Sequence, residues 1–345
     1  MQVKCKVKLG LRYVLSNVAD NMLELLQTRC VMCTFLLTGF LFLFGIKQHI
    51  VLTAISGAWN KISSTSHIAS PIIFVGGLPR SGTTLMRVLL DVHPWIRCGP
   101  EGMVIKPILE IRHRTPSLHV NSSIQAGIPP DLLDWATAHY IRQIVEGMGP
   151  PARILCYKRP EVLLYMEYLA RIFLDSQFVV MLRDGRAVAV SNERWGSHTL
   201  PYLYGTLHRW MKENLQIIRA CQRVGPKRCI IIRYELLVLN PERELKELTE
   251  FLGIPWDPVM LRHETLVRKV SSLNPHEPST PQVIKKINIE ALTKWMKRSD
   301  SITKTFIDEA PKRCWLLKTL GFLDIGEPPD YSKLPRKIGN LSAFN

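Results

Sequence analysis

The segment Gly76-Gly77-Leu78-Pro79-Arg80-Ser81-Gly82-Thr83-Thr84 follows directly on the apolar run Ile72-Ile73-Phe74-Val75. A run of that composition predicts a buried strand, and the residues from Leu85-Met86 onward predict a helix. A strand led through glycines into a helix makes an anion cradle. The glycines let backbone N–H groups turn inward on a phosphate, and the helix behind them adds the positive end of its dipole. The frame from Gly77 to Gly82 fits the triphosphate loop G-x-x-x-x-G-K-[ST], but the lysine position holds Thr83 and the cation has moved to Arg80. Hydroxyls and one arginine, without a lysine at the γ-phosphate position, suit a diester-like or sulfated phosphate better than a magnesium-bound triphosphate.

Further short apolar runs recur between helical stretches, at Ile154–Tyr157, Phe178–Leu182 and Ile230–Ile232. Runs that are apolar throughout and separated by helices are what a parallel sheet covered on both faces requires, so the fold class is α/β. Ligands of such sheets sit outside the carboxyl ends of the strands. Here each run ends in chemistry: the glycine loop, then Lys158, then Arg183-Asp184, then Arg233-Tyr234. A chain of 345 residues with 46% apolar side chains fits one large core and an N-terminal appendage.

The appendage contains Val31 to Ile46, sixteen residues without a charge, just under the usual length of a spanning helix. Lys4, Lys6, Lys8, Arg12 and Arg29 precede it and Lys47 and Lys61 follow, which predicts a cytoplasmic N-terminus and a lumenal domain. A cleaved signal peptide, cut near Ala54 to Ala58, is the rival reading, against which the 30-residue polar lead argues. The implied organisation is a cytoplasmic segment 1–30, a membrane anchor 31–46, a stem 47–70, a catalytic domain 71–331 and a tail 332–345. Asn121 and Asn340 begin glycosylation sequons that a lumenal domain could use.

Forty-five Lys and Arg against 29 Asp and Glu give a net charge of +16, which calls for an anionic partner. The basic residues are scattered, and neither zinc-finger spacing nor an aromatic RNA-binding motif accompanies them, so nucleic acid is not the expected partner. A polyanionic nucleotide and an acidic acceptor peptide account for the charge equally well. Cys221 and Cys229 bracket a tight turn between a helix and a strand and can be bridged. No C-x-x-C pair is followed by suitably spaced histidines, so no metal site is expected.

The run Pro71 to Glu101 resembles the nucleotide-binding segment of the tyrosylprotein sulfotransferases, which use 3′-phosphoadenosine 5′-phosphosulfate. Further matches lie at Arg183-Asp184-Gly185-Arg186-Ala187, Tyr234-Glu235, Ser279-Thr280, Gln282-Val283-Ile284-Lys285 and Lys294-Trp295, in the family's order and at nearly its spacing. The resemblance implies a P-loop-like sulfotransferase fold, sulfation of tyrosines in secreted and membrane proteins, and a Golgi membrane location with one N-terminal helix. It makes Glu101 the base, with Arg80, Lys158 and Ser279 around the phosphosulfate. Arg183 and Ser191 match the pair that holds the 3′-phosphate. Ser81, Gly82, Thr83, Thr84, Tyr234, Thr280, Gln282, Val283, Ile284, Lys285, Asn288 and Lys294 match further nucleotide contacts, as does Arg194 after a one-residue shift. The resemblance also implies disulfides Cys98–Cys156 and Cys221–Cys229, leaving Cys314 free, and a possible homodimer. No metal is required, because the cations do the work magnesium does in kinases.

The match thins around the acceptor. Two family arginines that grip acidic residues of the acceptor fall here on Met103 and Pro107, with Lys106 between them. The family's Asn-Lys-Asp-Pro reads Tyr157-Lys158-Arg159-Pro160, and an arginine in place of that acid is expected to disturb Lys158. Proline at Pro281 replaces a family aspartate. Two other readings therefore stand beside tyrosine sulfation: a Golgi carbohydrate sulfotransferase, and a nucleotide-binding paralogue that acts through dimerisation without catalysis.

Overall fold

The computed structural model describes residues 71–338 except 115–116, 193–197 and 272. The anchor, the stem, Arg194 and the Asn340 sequon therefore lie outside the described residues. Among the described residues no helix is long and apolar enough to cross a membrane.

Five strands form one sheet in the order β2-β3-β1-β4-β5, and every neighbouring pair is parallel. They are β1 (Ile72–Gly77), β2 (Ile96–Cys98), β3 (Ile154–Lys158), β4 (Gln177–Leu182) and β5 (Cys229–Arg233). The chain runs from β1 to the β2 edge, returns through β3, then passes over β1 to β4. The strand order thus reverses beside β1, which is where parallel sheets bind ligands. The register aligns the strand ends: Val75 lies level with Lys158 on one side and Val179 on the other. The cradle after β1, Lys158 and Arg183 consequently open onto the same edge of the sheet.

Helices cover both faces, as apolar strands demand. In chain order they include α1 (Thr83–Asp91), α2 (Ile105–Arg114), α3 (Ser117–Gln125), α4 (Pro130–Gly147), α5 (Met166–Ile172), α6 (Gly185–Ser191), α7 (Leu200–Val224), α8 (Tyr234–Leu239), α9 (Pro241–Leu252) and α10 (His263–Val270). Helices α11 (Thr280–Val283), α12 (Ser301–Arg313) and α13 (Trp315–Thr319) follow. Phe74, Val75 and Phe178 to Leu182 are fully buried, with Met86, Val88, Leu89 and Leu90 of α1 behind them. At about 1.5–3 kcal/mol for each fully buried large apolar side chain, this seam outweighs any single polar contact in holding the strand edge in place.

Cys98–Cys156 and Cys221–Cys229 are bonded, and Cys314 is free and buried. The first bridge ties β2 to β3, and the second ties the end of α7 to β5. Asn121 is exposed on α3.

Candidate active site

The cradle owes its shape to three glycines. Gly77 has φ 141° and Gly82 φ 92°, backbone that favours glycine, and Arg80 itself takes φ 73°. A Cβ on Gly77 would stand 2.3 Å from the Met181 carbonyl oxygen, and one on Gly82 would stand 2.4 Å from the Tyr234 ring. On Gly76 it would meet Leu163 at 2.5 Å. Gly82 opens α1, and no side chain caps it, so the first-turn N–H groups face the cleft without the usual partner. The Ser81 hydroxyl is fully buried and lacks a hydrogen-bond partner. An uncapped helix start beside an orphaned buried hydroxyl fits a phosphate or sulfate group.

Arg80 gathers the loop and two distant elements. Its Nε donates to the Ser191 hydroxyl at 3.0 Å, and a terminal nitrogen donates to the Ser279 hydroxyl at 3.0 Å. Arg183 donates to the Arg80 carbonyl at 2.9 Å and to the Ala291 carbonyl at 3.0 Å, with its guanidinium 4.5 Å from the Tyr234 ring centroid. Tyr234 closes the same corner against Gly82. Burial raises the Tyr234 phenol above its ordinary range, so the ring acts as a neutral wall.

Lys158 ends β3 with 0% exposure and lies between two carboxylates. Its Nζ donates to Glu101 Oε2 at 2.9 Å and to Glu277 Oε2 at 2.9 Å. The turn carrying Glu101 is pinned from α1. Asp91 Oδ1 accepts the Cys98 N–H at 2.6 Å, while the fully buried Arg87 donates to the Cys98 carbonyl at 3.2 Å and lies 3.5 Å from Asp91. Burial holds the Asp91 carboxyl above its usual range despite the hydrogen bonds and arginines that pull the other way. Glu101 is therefore mounted on a turn clamped by buried polar groups and the Cys98–Cys156 bridge.

Arg159, the departure beside Lys158, is 8% exposed. It lies 3.5 Å from Glu101, 3.6 Å from Glu161, and 2.7 Å from the Met103 sulfur. Arg209 of α7 lies 3.3 Å from Glu161, and Lys106 lies 3.9 Å from it. Arg159 and Arg209 line a cleft of about 390 Å³ together with Arg80, Glu101, Glu161, Tyr202 and Ser279, among others. Met103 is 63% exposed, and Pro107 is also exposed.

Arg80, Ser81, Gly82, Thr83, Thr84, Glu101, Lys158, Arg183, Ser191, Tyr234 and Ser279 thus meet at one strand edge. Thr280 donates to the Asn274 carbonyl and shapes the loop that presents Ser279. Val283 is buried and Ile284 half-buried, whereas Gln282, Lys285, Asn288 and Lys294 lie exposed beyond them. Asn288 caps its own short turn by accepting the Glu290 N–H at 2.9 Å.

Two strand-end residues serve the fold instead of the site. Asp184 caps α6 and binds Arg186 at 2.8 Å, and Arg233 is buried with its guanidinium 5.4 Å from the Phe322 ring centroid. Burial pushes Arg233 down to about 10. Sequence reasoning missed Glu277, whose signal was its place two residues before Ser279. Among the described residues no group of three His, Cys, Asp or Glu could hold a metal ion.

The chain is similar to known proteins. A sequence family described as the sulfotransferase family matches residues 71–258. The chain is 37% identical over 270 residues to protein-tyrosine sulfotransferase A of Caenorhabditis elegans, covering 76% of this chain and 70% of that one. It is 38% identical over 282 residues to protein-tyrosine sulfotransferase 1 of Homo sapiens, covering 79% of this chain and 75% of that one. Among solved structures, the sulfotransferase domain of the Synechococcus PCC 7002 olefin synthase matches with a TM-score of 0.46 at 23% identity, over 70% of this chain and 94% of that one.

Proposed function

Because the chain belongs to the sulfotransferase family and is similar to its protein-tyrosine members, we propose that it moves a sulfuryl group from 3′-phosphoadenosine 5′-phosphosulfate to tyrosine hydroxyls of proteins. The observation that carries this reading is the convergence of Glu101, Arg80 and Ser279 on one cleft at the switch point of the sheet, with Lys158 bound to Glu101 behind it.

Each residue has a task that its position supports. Arg183 and Ser191 hold the 3′-phosphate, and the cradle amides with Ser81, Thr83 and Thr84 hold the 5′-phosphate. Glu101 takes the proton of the acceptor hydroxyl as the new S–O bond forms. A tyrosine hydroxyl with a pKa of about 10 needs such a base near neutral pH. Arg80, Lys158 and Ser279 stabilise the charge that gathers on the bridging oxygen as the old S–O bond breaks.

The acceptors are acidic tyrosine-containing proteins, drawn by the Lys106, Arg159 and Arg209 cluster and the net charge of +16. The charge pattern around residues 31–46 supports a single-pass protein of the Golgi membrane with its domain in the lumen, where the two disulfides would be stable. Resemblance to the family supports a homodimer.

Incubating the purified domain with radiolabelled donor tests the activity. Label should pass to an acidic tyrosine peptide and not to a glycan. Label on the glycan alone would favour a carbohydrate sulfotransferase, and tight binding of 3′-phosphoadenosine 5′-phosphate without transfer would favour a non-catalytic paralogue.

A further inference from the structure

The loop between α10 and α11 supplies a carboxylate that the steps above leave without a task. Glu277 is 7% exposed, yet its two oxygens serve both halves of the site. Oε1 accepts the backbone N–H of Glu101 at 2.7 Å. Oε2 accepts from Lys158 Nζ at 2.9 Å and from the Thr84 hydroxyl at 3.4 Å. The cradle, the base and the catalytic lysine therefore meet on one side chain.

We propose that Glu277 is a positioning residue that keeps Lys158 charged and in place while Glu101 lets go of it to take the acceptor proton. This inference rests on the sulfuryl-transfer reading. Glu101 has the more exposed of the two carboxylates, with its side chain at 20% against 8% for Glu277, and it faces the cleft. Once Glu101 carries the proton, it is neutral and its hold on Lys158 weakens. A fully buried ammonium then needs another anion, because an uncompensated buried charge is strongly destabilising. Glu277 is that anion, and its hydrogen bond to the Glu101 amide keeps the base on its turn throughout. Burial alone would raise the Glu277 carboxyl, but Lys158 and the hydrogen bonds hold it below its usual range, so it stays ionised as Glu101 cycles.

Glu277→Gln keeps the shape and an oxygen for the Glu101 amide while removing the charge. It should lower kcat at least about tenfold, with KM for the acceptor and the affinity for 3′-phosphoadenosine 5′-phosphate within about threefold of wild type. In a Lys158→Met background the same change should cost less than about twofold, because the residue it serves is gone. A single variant within about twofold of wild type, or an undiminished loss in the Lys158→Met background, overturns the proposal. If Glu277→Gln does not fold, the pair with Lys158→Met should fold, since both charges leave together; failure of both would assign Glu277 to the fold alone. Breakdown of the donor to sulfate without acceptor is measured in the same series. A wild type that releases sulfate but labels no tyrosine sinks the acceptor reading, and the Glu277 comparison is then read on sulfate release.

Discussion

At the scale of single residues, the proposed roles divide the cleft between donor and acceptor. Arg183, proposed to hold the 3′-phosphate of the donor, has its guanidinium held by the Arg80 and Ala291 carbonyls and the Tyr234 ring. Arg183→Ala should weaken binding of 3′-phosphoadenosine 5′-phosphate by about 1.5–3 kcal/mol, the range of a charged hydrogen bond, and calorimetry reads this directly. Unchanged affinity in a folded variant would remove Arg183 from the site. Glu101 is the proposed base for the acceptor, so Glu101→Gln should keep that affinity and lose at least about a hundredfold in turnover. Near-normal turnover would make it a bystander. Arg80, Arg183 and Ser279 were legible because each sits in a short motif. Glu277 and Arg87 were not. A buried charge takes its meaning from partners far off in the sequence, and Lys158 lies 119 residues from Glu277.

At the scale of elements, four of the five strands were legible as apolar runs, because a sheet covered on both faces leaves few positions for polar side chains. β2 was not, since it is three residues long and carries Arg97, whose guanidinium donates to carbonyls at the end of α4. The junction of β4 with α8 carries a pH dependence that no motif announces. Glu235, 1% exposed, accepts the Asp184 N–H at 2.8 Å, and burial pushes its carboxyl up to about 7. A carboxylate raised on folding contributes stability that is fully present below its unfolded value and is lost as pH rises through about 7. Between pH 8 and pH 6 the wild type should therefore gain about 1 kcal/mol relative to Glu235→Gln, which has no such proton to bind. Parallel melting curves for the two proteins over that range would contradict this.

At the scale of the whole molecule, the acceptor face departs most from the family resemblance. Met103 and Pro107 offer no charge, and Lys106, Arg159 and Arg209 are all already engaged with Glu161. Replacing the aspartates that flank a target tyrosine by asparagine should therefore lower kcat/KM less than for a relative with arginines at those two positions, by roughly 1–3 kcal/mol. An equally steep loss would contradict this. Protease treatment of intact microsomes tests the proposed topology, and digestion of residues after Lys61 without detergent would reverse it. The reaction proposed for this cleft is the sulfation of a phenol. One glycopeptide that carries both a tyrosine and a sugar offers both kinds of hydroxyl in a single tube. After incubation with the donor, mass spectrometry should place the sulfate on the tyrosine, and a sulfate found on the sugar with the tyrosine unmodified would contradict the account.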